Sequence, residues 1–126
     1  MFKFFCIAAG GALGAVARYS ISGWVQNAGP ATFPWGTLCV NVVGSLLIGV
    51  FLGISELTPA PSAVRLLFAV GFIGAFTTFS TYSLETLNLF RDKEAMLGLM
   101  NIGLNNSLSL MAVFGAYFLS RSVVTF

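Results

Sequence analysis

Gly71–Glu85, GFIGAFTTFSTYSLE, lies inside the third long apolar segment of a 126-residue chain, yet it makes a poor plain membrane helix. Glycine recurs at Gly71 and Gly74, and hydroxyl side chains then crowd in at Thr77, Thr78, Ser80, Thr81, Tyr82 and Ser83. A lipid-facing helix has no use for them. Polar or irregular backbone at membrane depth persists only where protein buries it or where it lines a watery cavity. The stretch therefore predicts a helix interrupted near Gly74–Thr77, with the interruption and the polar turn after it forming the working site. Phe79 and Tyr82 stand i, i+3 there, on one helical face.

Composition supports the membrane reading. Hydrophobic residues make up 57% of the chain, charged residues only 8%, and the mean hydropathy is +0.92. A soluble domain of this size carries roughly 25% charge. The net charge of +2 is small and scattered, which gives nucleic acid nothing to bind. Histidine is absent, which removes the commonest general base and metal ligand, and no carboxylates are paired; an enzyme is not expected. Cys6 and Cys39 each sit in an apolar run and read as free buried thiols. Lys3 with the apolar run behind it imitates a secretory signal. Gly10, Gly11 and Gly14 interrupt that run, and the segment is expected to stay as a membrane helix.

A helix needs roughly 20 apolar residues to cross a bilayer core about 30 Å thick. Segments of that order run from Phe4 to Ser22, Gly36 to Ser55, Ala63 to Leu89 and Ala95 to Leu119. Gln26–Pro30 and Pro34, Glu56 with Pro59–Pro61, and Arg91–Glu94 read as the loops between them, with Trp24 and Trp35 at the interface and Arg121 marking the exit of the last helix. The fold expected is all-α: one domain over residues 1–126, multi-pass in the inner (plasma) membrane, with both termini on one side. Lys3, Arg65 and Arg121 fall on that side; Arg91, Lys93 and, if it snorkels, Arg18 fall on the other. So even a count gives the positive-inside rule almost nothing to act on. A chain able to insert both ways can pair with an inverted copy of itself, and an antiparallel, dual-topology homodimer is expected. Gly10–Gly14, Gly49–Gly53 and Gly71–Ala75 are small-xxx-small pairs that point to close helix packing without naming a partner.

Polar groups inside the membrane point to function by default. Arg18 is placed toward the end of the first helix, either as an anchor or vestibule charge or as an attractor of ions. Asn41, within the second helix, is either interhelical glue or part of a path. On the fourth helix Asn101, Asn105 and Ser109 recur at i, i+4, i+8, a polar line about 12 Å long, and Asn106 and Ser107 widen it. Every residue in that line is neutral, and amides and hydroxyls can donate to an anion without trapping it. Glu56, Glu85, Asp92 and Glu94 lie at or near the expected helix ends, whereas a proton or cation carrier would place a carboxylate in the core. A small anion is favoured. Phe79 and Tyr82 could offer electropositive ring edges, beside hydroxyls at Ser80 and Thr81. Carbonyls freed by the break are oxygen ligands of the kind a hard cation such as sodium takes, and inverted copies meeting there would bring several together.

These residues resemble the CrcB/Fluc family of small fluoride-specific ion channels. The resemblance is carried by GGALGAVARY (Gly10–Tyr19), GTLCVNVVGSLLIG (Gly36–Gly49) and GFIGAFTTFSTYSLE, and extends over essentially the whole chain. It implies passive fluoride export that lowers cytoplasmic fluoride, an antiparallel dimer with paired pores, and a structural sodium ion that is not transported. It implies further that Gly74 and Thr77 supply the sodium-binding carbonyls. Asn41, Phe79, Ser80, Thr81, Asn105 and Ser109 would line the fluoride path. The second aromatic position, often Phe in the family, is Tyr82 here. The alternative is a small dual-topology drug or cation exporter of the multidrug-resistance type, which would need a membrane-buried carboxylate. A purely structural subunit would leave the polar line and the broken helix unused.

Overall fold

Lipid offers the backbone no hydrogen-bond partner, so each apolar run must close its own amides into helix. A computed structural model describes residues 1–124, and no strand occurs among them. Helix α1 is Phe2–Ala28 and α2 is Trp35–Leu57. Helix α3 covers 62–76, α4 is Phe79–Arg91 and α5 is Ala95–Val124. With α3 and α4 taken together as Ser62–Arg91, four stretches are long and apolar enough to cross a membrane. The expected break in the third span is present. It falls at the C-terminal edge of the expected window, on Thr77 and Thr78, whose extended backbones (ψ 157° and 120°) separate α3 from α4.

The glycine pairs pack within the chain. A Cβ on Gly10 or Gly14 of α1 would overlap the backbone of Leu67 or Phe72 on α3, and Gly71 meets Ile7 and Gly10 in return. Gly49 and Gly53 of α2 face Val113, Tyr117 and Ser120 of α5 in the same way. The result is two tight helix pairs, α1 with α3 and α2 with α5, joined chiefly through α1 and α2. At the ends of the second pair, Glu56 accepts from Tyr117 (2.7 Å) and pairs with Arg121 (3.2 Å). Both cysteines are free, Cys6 buried and Cys39 half-buried.

Several boundaries differ from expectation. Gln26, Asn27 and Ala28, read as loop, complete α1. Position on a helix gives Gln26 a use: its Nε2 donates to the Phe33 carbonyl (3.0 Å) and its Oε1 accepts from the Gly36 amide (3.2 Å). That amide belongs to the first turn of α2 and has no intrahelical partner. Arg18 is consequently a mid-helix residue, ten positions before the end of α1. Arg121 lies in the last turn of α5, inside the helix it was expected to leave. Within α3, Arg65–Ile73 is wound in the wider i→i+5 register, a form found mostly as single turns and often near functional sites. Along it Phe68, Phe72 and Phe76 stack nearly parallel, with centroids 5.8 and 5.6 Å apart.

The hydrophilic turn Arg91–Glu94 closes as anticipated, by a specific device. Glu94 N–H reaches back to the Leu89 carbonyl (2.8 Å) and Lys93 N–H to that of Phe90 (3.2 Å). This double closure needs a left-handed residue, normally glycine, and Lys93 occupies it at φ 64°. Lys93→Gly should therefore raise stability by about 1 kcal/mol. Thermal unfolding in detergent would show it; a lower midpoint would contradict the strain.

Candidate functional site

The break is built from threonines. Thr77 closes α3 with both its N–H and its Oγ1 on the Ile73 carbonyl (3.1 Å each). Thr78 opens α4: its Oγ1 accepts from the Thr81 amide (3.2 Å) and donates to the Thr81 hydroxyl (2.9 Å), an N-cap of the ordinary kind. The Thr77 methyl lies where a Cβ on Gly44 of α2 would stand, so only glycine there lets the break approach α2. In an unbroken helix the Thr78 and Thr81 amides would bond the carbonyls of Gly74 and Thr77. Here they go to Asn41 and to Thr78 Oγ1, which frees both carbonyls. Gly74 is exposed and Thr77 half-buried. Neutral oxygens of this kind fit the chemistry of a hard monovalent cation.

Asn41 holds the break in place. Its Oδ1 accepts from Thr78 N–H (2.8 Å) and its Nδ2 donates to the Thr78 carbonyl (3.1 Å). A backbone amide can only donate and a carbonyl only accept, so Thr78 fixes which way the Asn41 amide points. The second Asn41 hydrogen goes to Asn105 Oδ1 (3.0 Å). Asn105 then donates to Asn101 Oδ1 (2.8 Å), Asn101 to Thr86 Oγ1 (2.9 Å), and Thr86 to the Tyr82 carbonyl (2.8 Å). These groups form one chain of donors, every member pointing the same way, running from the break to the middle of α4. Asn101 (0% exposed) and Asn105 (5%) both lie in the core. Asn41 and Asn105 therefore engage all their amide hydrogens within the protein.

Beside this chain lies an open cleft of about 360 Å³. Asn41, Ser45, Phe79, Tyr82, Asn105, Asn106 and Ser109 all line it, and no charged side chain does. The expected residues Asn41, Phe79, Tyr82, Asn105 and Ser109 are thus brought together. Phe79 stands 76% exposed at the rim while Tyr82 is 8% exposed, their rings tilted with centroids 5.2 Å apart. The Ser109 hydroxyl is buried without a partner. Ser80 and Thr81 are not part of this cleft. On a helix that starts at Phe79 they point about 100° and 200° away from it. Thr81 lines a second cleft of about 220 Å³ with Arg18, Thr37 and Thr78. Thr78 borders both clefts, so the break stands between a neutral chamber and one that holds a cation.

Several residues have parts in this site that spacing did not assign. Asn106, expected only to widen the polar line, donates to the Tyr82 hydroxyl (3.1 Å) from 24 positions away, a pairing no local spacing announces. Thr86 receives the amide chain, and its i+4 relation to Tyr82 is a signal that could have been used. Glu85 was placed among residues near the helix ends. It accepts from Thr37 (2.7 Å) in the first turn of α2, and its other oxygen is buried without a partner. The carboxylate therefore lies deeper than its place in the sequence implied, against the end of α2 that favours negative charge.

Four membrane spans gathered around an uncharged polar cleft define a small multi-pass membrane transport protein. Relatives sharpen that class. The family model described as CrcB-like protein, Camphor Resistance (CrcB), matches residues 5–117, and the chain belongs to this family. A Hahella chejuensis protein named fluoride-specific ion channel FluC is 45% identical to it, over 94% of each chain. Proteins of the same name from Rhizobium etli (44% identical, 98% of this chain and 100% of theirs) and Maridesulfovibrio salexigens (40%, 99% and 100%) resemble it over full length.

Proposed function

We propose that the protein is a fluoride-specific ion channel that lets fluoride leave the cell passively and so limits its toxicity. The observation that carries this reading is the cleft without charge, in which a buried hydroxyl has no protein partner while the nearby amides are all engaged. Fluoride holds water tightly, and a path for it must replace that water with donors weak enough to release the ion. Several neutral hydroxyls in series do this better than one fixed cation. Arg18, in the neighbouring cleft across Thr78, raises the local concentration of anions without binding them in the narrow part.

The working unit is an antiparallel homodimer. Support comes from the even distribution of Lys and Arg, from Phe79 standing 76% exposed at a cleft open on one side, and from the exposed turn at Gly74. Freed carbonyls of Gly74 and Thr77 from two copies would hold a sodium ion, which would supply a fixed positive charge that ties the broken helices together. The drug-exporter alternative fits neither the neutral cleft nor the names its relatives carry.

Efflux from liposomes tests this directly. Purified protein should release fluoride rapidly and chloride at least about a hundredfold more slowly. Replacing sodium on both sides by a large organic cation should weaken flux. Equal chloride and fluoride rates would end the selectivity claim, and flux indifferent to sodium would remove the ion from Gly74 and Thr77.

A further inference from the structure

We infer that the Tyr82 hydroxyl donates a hydrogen bond to the permeating anion, and that Asn106 aims it. This rests on the channel reading above. The direction of each bond follows from atoms that can act in only one sense. Asn106 Nδ2 lies 2.7 Å from the Ile102 carbonyl, which can only accept, so that atom must be the nitrogen. The same nitrogen lies 3.1 Å from Tyr82 Oη, and its remaining hydrogen goes there. Tyr82 Oη is therefore an acceptor in this pair, and its own proton must point elsewhere. No acceptor among the described residues takes it.

Tyr82 is 8% exposed and lines the neutral cleft, as does Ser109 with its buried, unpartnered hydroxyl. Polar hydrogens left unbonded in such a place are uncommon and call for a partner, whether water or a ligand. The chamber thus holds three unassigned O–H donors, on Ser45, Tyr82 and Ser109, and no fixed charge. A phenol is a stronger donor than an aliphatic alcohol, and accepting from Asn106 polarises it further. Tyrosine at this position changes what the ion meets. Phenylalanine would offer a ring edge alone; Tyr82 offers a directed proton whose bond is strongest to the smallest, hardest anion. Asn106 touches no ion in this scheme and is a positioning residue.

The test is the fluoride concentration that half-saturates flux through the reconstituted full-length channel, measured for the wild type, Tyr82→Phe, Asn106→Leu and the double variant. Tyr82→Phe should raise it about tenfold, as expected for losing one hydrogen bond to a charge. Asn106→Leu should raise it about threefold alone and leave it unchanged in the Tyr82→Phe background, because Asn106 acts only through the hydroxyl. Asn106 is exposed, so its variant keeps the test alive even if Tyr82→Phe assembles poorly. An unchanged half-saturation in either single variant, or full additivity in the double, overturns the assignment while leaving a conducting wild type, and hence the channel, intact. A wild type without fluoride flux would instead overturn the channel itself.

Discussion

Asn41→Asp should cut fluoride flux at least about a hundredfold. The new carboxylate would face the Thr78 carbonyl and Asn105 Oδ1, both acceptors, and only Thr78 N–H would receive it well. An ionised group at this depth costs about 2.5–3.5 kcal/mol, and each 1.4 kcal/mol is roughly a factor of ten. The charge would also repel the anion from the one stretch of path that holds none. Asn41→Leu separates the two effects: it removes the clasp without adding charge, and should lower flux less while loosening the break. Efflux assays on both variants decide it. Wild-type flux through Asn41→Asp would mean that neither the clasp nor the neutrality of the cleft matters.

The second large effect is on assembly. Gly14 lies so close to Phe72 that a Cβ would overlap its carbonyl and Cα, and backbone cannot swing aside as a side chain can. Gly14→Ala should destabilise by about 1–3 kcal/mol through overpacking. Gly103, on α5, has nothing within 4 Å of where its Cβ would stand. Gly103→Ala should be tolerated and gain up to about 1 kcal/mol of helix propensity. Thermal unfolding in detergent should rank Gly14→Ala below the wild type and Gly103→Ala at or above it. Equal stability of the two variants would refute a backbone-level contact between α1 and α3.

Much of this architecture was legible because lipid imposes few solutions. Long apolar runs gave the four spans, and hydroxyls crowded behind Gly71 and Gly74 marked the break to within a residue. Termini were less legible. Asn27, Gly29 and Pro30 are turn formers, yet α1 continues through Ala28 because Gln26 finds its partners across the loop. Nothing in Arg65–Ile73 signals its wide register; no proline or polar insertion marks it. The asparagine line was visible as a line, but spacing cannot say which amide hydrogens are already engaged. That depends on Thr78, on another helix, and it leaves the Asn41 amide hydrogens committed within the protein. Ser80 and Thr81 were grouped with Phe79 by nearness in the chain, although helical rotation alone separates them.

The one-way run of amides from Thr78 to Thr86 has a consequence for the energy of the cell. Carboxylates, imidazoles or files of water hand protons along by exchanging them, and a leak built from such groups would discharge the gradient that drives much of membrane transport. Carboxamides titrate nowhere near physiological pH, and each of these is locked in orientation by its neighbours. This flank of the cleft therefore offers no titrating group to carry protons, so the amide line itself does not run down the cell's battery.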